Sequence, residues 1–139
     1  MFFREARRIL AAAAVLAAGT LLAAPLCWAA DDDVRTVASE KLPNVPGKSI
    51  TAIVVSYAPG AKSVKHHHAG SVLAYVLSGE IRSENSATGP AKVYKAGETF
   101  FEPPGSEHLV SENASATEPA SLLAVFVADD GAQLTNFDD

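Results

Sequence analysis

From position 50 onward the chain is a succession of short β-type runs, each ended by a turn after eight to twelve positions. The runs fall at 50–57, 71–77, 80–85, 92–95, 99–102, 107–111 and 121–127. Between them stand corners such as Ala58-Pro59-Gly60, Ser78-Gly79, Ala96-Gly97 and Pro103-Pro104-Gly105. No amphipathic helix of useful length follows residue 29. Short strands of this kind bury apolar surface only by closing into a sandwich or a small barrel, so the fold class is all-β.

The N-terminus reads as an address. Arg4, Arg7 and Arg8 precede an apolar, Ala- and Leu-rich stretch, and Cys27-Trp28-Ala29 offers small residues at a signal-peptidase site. Residues 1–29 are therefore assigned as a signal peptide and the protein as periplasmic or secreted. Arg7-Arg8 also resembles a twin-arginine export signal. An uncleaved membrane anchor is the competing reading, weakened by Gly19, Thr20 and Pro25.

Without the signal about 110 residues remain, enough for one core, and they contain no cysteine. They carry 8 basic against 15 acidic side chains, a balance that repels phosphate backbones and argues against nucleic acid as a partner. Residues 30–49, broken by Pro43, Pro46 and Gly47, read as an irregular N-terminal arm. Residues 50–128 form the β-domain, and 129–139 an acidic, frayed tail.

The chemistry-bearing residues are concentrated in two segments. All four histidines lie between 66 and 108: His66, His67 and His68 in one run, and His108 after the proline corner. Imidazole is the commonest protein ligand for transition metals, and the spacing suggests that the segments meet around one ion.

The two segments resemble the paired motifs of the cupin superfamily, G-x5-H-x-H-x3,4-E-x6-G and G-x5-P-x-G-x2-H-x3-N. Gly60, His66, His68 and Gly79 keep the first spacing; Gly97, Pro103, Gly105 and His108 keep the second. The resemblance implies a conical β-barrel, the double-stranded β-helix or jelly roll, with His66, His68 and His108 as metal ligands inside it. Side-chain alternation agrees, since positions i and i+2 of a strand share a face while His67 points away.

Two positions depart from the pattern. The family's glutamate ligand falls at Val72, which cannot bind metal, and Glu112 stands where asparagine is expected, with Asn113 one step late. Resembling cupins with three histidines include non-haem iron dioxygenases, which makes an oxidoreductase acting on a small oxygen-rich molecule the first expectation. A non-catalytic module binding a small ligand or carbohydrate is the second; Trp28, the sole tryptophan, leaves with the signal and is lost for sugar stacking. The cofactor is one divalent transition metal, with Fe, Mn, Zn, Cu and Ni all compatible.

Glu102, just before the proline corner, is the candidate catalytic residue. Facing the cavity it can orient a histidine or act as a base; otherwise it is a rim carboxylate paired with Lys95 or Arg82. Tyr57 and Tyr94 can offer phenols to the cavity or pack as core aromatics, and Glu98 suits a turn role.

Alternation carried from His66 and His68 through a tight Ala69-Gly70 turn directs Val72, Ala74 and Val76 inward and Leu73, Tyr75 and Leu77 outward. A strand apolar on both faces needs two covers. The inner one is the barrel core. The outer one is either the 30–49 arm or a second subunit, and a homodimer is the expectation.

Overall fold

A computed structural model describes residues 33–137. The signal peptide assigned to 1–29 lies outside the described residues. Ten strands make up the fold: β1 (Asp33–Lys41), β2 (Lys48–Tyr57), β3 (His66–His68), β4 (Ser71–Ser78), β5 (Glu80–Asn85), β6 (Gly89–Lys95), β7 (Thr99–Glu102), β8 (Glu107–Asn113), β9 (Ala120–Asp129) and β10 (Thr135–Phe137). They form two five-stranded sheets, ordered β1-β2-β9-β4-β7 and β10-β3-β8-β5-β6, and every described pairing is antiparallel.

Alternation builds the core. Val72, Ala74 and Val76 of β4 are buried, as are Ile81 of β5, Phe100 of β7, and Leu122, Ala124 and Phe126 of β9. Val76 and Ile81 lose all solvent contact. The β3–β4 turn depends on Gly70. A Cβ there collides with the Val127 carbonyl and comes within 2.7 Å of Ala128 Cβ, so only glycine lets β4 lie so close to β9.

Two terminal segments correct the sequence reading. The arm is not irregular throughout: Asp33–Lys41 is a strand, paired with β2 at the edge of the sheet. All nine of its residues are exposed, so no inside-outside alternation marked it. The tail is not frayed over Thr135–Phe137, which pair with His66–His68. Three residues held chiefly through backbone bonds leave no periodic signature.

The β4 parity holds. Leu73, Tyr75 and Leu77 face out, at 48%, 42% and 44% exposure. Phe101, directly opposite Leu73 on β7, is also 48% exposed. The arm does not cover them, because β2 and β9 lie between β1 and β4 in the sheet.

Candidate metal centre

Local pairing brings the three predicted ligands together. His66 and His68 share the inner face of β3, and His66 pairs directly with His108 of β8. The Pro103-Pro104-Gly105 corner is tied to β3 by the Gly105 N–H, which donates to the His68 carbonyl at 2.8 Å. All three imidazoles are buried, and one ligand atom of each lies within 4.8 Å of those of the other two. His67 is half-buried, on the opposite face of β3, and does not join them.

Each ring has one nitrogen engaged by a neighbour. His66 Nδ1 donates to the Val64 carbonyl at 2.6 Å, and His68 Nδ1 donates to the Leu134 carbonyl at 3.0 Å. A carbonyl only accepts, so both rings carry a proton on Nδ1, and Nε2 is the nitrogen left for a metal. His108 places Nε2 at 2.7 Å from the Ser83 hydroxyl and Nδ1 at 3.1 Å from Glu102 Oε2. Burial, reinforced by the charges of the other histidines, lowers His108 to about 3. Burial also lowers His68 to about 4 against the opposing pull of the Leu134 carbonyl. His68 and His108 are therefore neutral at physiological pH, the state a metal requires, and the three residues fit a divalent ion.

Glu102 is not on the rim. It is 2% exposed, with Oε2 at 3.1 Å from His108 Nδ1 and 3.8 Å from His68 Nε2. Its expected rim partners are engaged elsewhere, Arg82 with Glu112 at 3.3 Å and Lys95 with Glu80 at 3.9 Å. Burial raises the Glu102 carboxyl to about 7, partly offset by the Asn85 side-chain amide at 3.4 Å. Asn113 is a structural residue; its amide donates to the Ala58 and Glu118 carbonyls at 3.1 and 2.7 Å. Glu98 has a turn role, accepting from the Lys95 N–H at 2.7 Å. Tyr94 packs on Phe100, with ring centroids 4.9 Å apart.

The centre lies in a cavity of about 1130 Å³. One wall is apolar, formed by Ile53, Val55, Leu122 and Phe126. Tyr57 adds a buried phenol, bonded to Ser111 Oγ at 2.7 Å and Ser63 Oγ at 3.1 Å. Phe137 of β10 stands beside His66 with ring centroids 5.9 Å apart.

Sequence reasoning missed three neighbours of the centre. Ser83 and Asn85 were detectable: they share the inward parity of Ile81 on β5, and polar residues at core positions mark a site. The Leu134 carbonyl was not, because a backbone acceptor from a distant loop has no residue-type signal.

The cupin domain model matches residues 53–126, more than half of the chain. A germin-like protein, subfamily 2 member 2, from Arabidopsis thaliana is 33% identical over 91 residues. That alignment covers 63% of this chain but only 41% of the relative. A conserved protein with a double-stranded β-helix domain from Klebsiella pneumoniae superposes with a TM-score of 0.60 at 23% identity, covering 78% of this chain and 85% of that one. An oxalate decarboxylase from Bacillus subtilis is 30% identical with a TM-score of 0.50, covering 58% of this chain and 22% of that chain. With its two motif segments folded into one all-β domain around three histidines, the chain belongs to the cupin domain family.

Proposed function

We propose that the protein binds one divalent transition metal through His66, His68 and His108, and that an oxygenase-type oxidoreductase is the activity this site supports best. The observation that carries the reading is the set of three buried imidazoles, with one ligand atom of each within 4.8 Å of those of the other two and each ring held through one nitrogen by a neighbour. A bound ion supplies Lewis acidity toward an oxygen-bearing ligand and coordination positions beyond the protein's own. The cavity sets the class of that ligand. An oxalate-sized dianion leaves most of the apolar wall in contact with water. A molecule with an apolar body and two adjacent oxygens, such as a diketone, enediol or catechol, covers that wall against Ile53, Val55 and Leu122. The Tyr57 phenol and Ser111 hydroxyl then offer hydrogen bonds within the same cavity.

Metal analysis of the protein, purified without tag or chelator, tests the first part. Near-stoichiometric metal is expected, with a stabilisation of about 4 kcal/mol at an ion concentration 1,000-fold above Kd. A folded protein whose melting temperature ignores added Fe, Mn, Zn, Cu and Ni overturns it. Oxygen uptake by the iron-loaded protein on diketones and catechols tests the activity; its absence across the panel leaves a ligand-binding module.

We also infer a homodimer closed over the outer face of β4 and β7, where Leu73, Tyr75, Leu77 and Phe101 form a continuous exposed apolar surface. Sedimentation at tens of micromolar is expected to show a dimer, and Leu73→Glu a folded monomer. A monomeric parent protein sinks the idea.

A further inference from the structure

A divalent ion held by three neutral imidazoles brings two uncompensated positive charges into a cavity with an apolar wall. Burial of charge is costly unless a counter-charge lies within reach. Among the described residues that line the cavity, Glu102 is the sole acid. Its place in the fold is informative. Val72 and Glu102 are direct cross-strand partners of β4 and β7, both fully turned inward. Side chains in that relation start only about 5 Å apart, so a carboxylate from either strand can enter the same space.

From this geometry we propose that Glu102 is the fourth metal ligand, a carboxylate supplied from β7 across the sheet from Val72. The proposal rests on the metal-binding reading above. Two donors each about 2.1 Å from one ion stand about 3.0 Å apart at a right angle and about 3.4 Å apart in a tetrahedron. Oε2 of Glu102 lies at 3.1 Å from His108 Nδ1, within that range, and at 3.8 Å from His68 Nε2, a few tenths of an ångström beyond it. The neighbours complete the fit. Ser83 engages the far nitrogen of His108, and Asn85, itself held by Ser106 Oγ at 2.9 Å, reaches Glu102 Oε2 at 3.4 Å. The carboxylate is thus held facing two of the three imidazoles. It also shifts preference, because carboxylate favours Mn²⁺ whereas imidazole alone favours Cu²⁺ and Zn²⁺.

The test compares Mn²⁺ and Zn²⁺ affinities of the full chain by chelator competition. Glu102→Gln keeps shape and a hydrogen-bond acceptor but removes the charge. It is expected to lose at least about 10-fold in Mn²⁺ affinity, and less in Zn²⁺ affinity. A residue that merely orients His108 affects both ions alike, so equal losses of Mn²⁺ and Zn²⁺ affinity in Glu102→Gln overturn the proposal. The exchange variant Val72→Glu/Glu102→Val returns a carboxylate to β4 and is expected to recover Mn²⁺ affinity to within about threefold of the parent. Glu102→Gln binding Mn²⁺ within about twofold of the parent overturns the proposal, as does a folded exchange variant no better than Glu102→Gln. If the parent binds neither ion, the metal-binding reading fails and this one falls with it. Parent binding with an unaffected Glu102→Gln removes only the role of Glu102.

Discussion

Alanine at position 108 is expected to weaken metal binding at least about 100-fold, whereas alanine at position 67 is expected to leave it within about twofold. The contrast follows from strand geometry. His67 sits on the opposite face of β3 from His66 and His68, and its backbone partners are Glu107 and Asn136. His108 enters from β8 opposite His66, and its Nδ1 is the nearest described partner of the Glu102 carboxyl at 3.1 Å. Its removal deletes one imidazole and frees the acid to turn. Changes to groups that merely position a ligand already cost about 10- to 100-fold in affinity, so deletion of a ligand costs more. Calorimetric titration of metal into both variants and the parent reads the difference. Equal losses in the two variants contradict the alternation argument, and an unaffected His108→Ala removes His108 from the site.

Alternation also explains why some strands were readable from sequence and others were not. The runs at 80–85 and 99–102 coincide with β5 and β7 because one face of each is buried and the other is not. The β4 pattern carried the parity from His68 to Val76 through Gly70 because the turn is too tight to add a residue. Burial was absent as a signal in β1, where Val34 and Val37 are exposed like their polar neighbours. A strand of that kind is held by its backbone bonds to β2, and any residue can make them.

The site was legible as far as residue types could carry it. Three histidines at motif spacing form the cluster, and the acid where an apolar residue was expected lines the same cavity beside two of them. Which partner Glu102 takes was not legible, because the reading weighed charges near in sequence. Lys95 and Arg82 seemed available, yet both point outward to Glu80 and Glu112. Parity favours the interior. Glu102 lies two residues after the buried Phe100 on β7, so it shares the inward face. The contribution of the segment entering β10 needed the third dimension: Leu134 and Thr135 stand 66 and 67 residues from the His68 ring they contact.

The metal-free protein is expected to be equally stable at pH 8 and 6.5 and to lose about 1–2 kcal/mol between pH 6.5 and 5 from these buried groups. The sign follows from proton counts. His68 and His108 are held near 4 and 3 in the fold but titrate at 6.5 when unfolded, so below 6.5 the unfolded chain binds two protons that the native state refuses. That destabilises the fold as pH falls. Glu102 works the other way: raised from 4.5 to about 7, it binds a proton in the fold that the unfolded chain lacks, and its contribution grows as pH falls through 7. Between 6.5 and 5 two protons oppose one, and each net proton is worth about 1.4 kcal/mol per pH unit. Above 6.5 the diminishing histidine and glutamate contributions cancel. Glu102→Gln removes the opposing proton, so its loss between pH 6.5 and 5 is expected to rise to about 3 kcal/mol. Urea unfolding in chelator-treated buffer at pH 8, 6.5 and 5 measures both proteins. Stability of the parent that stays flat to pH 5, or a Glu102→Gln slope no steeper than the parent's, shows that the histidines and the acid do not share one buried, mutually opposing site.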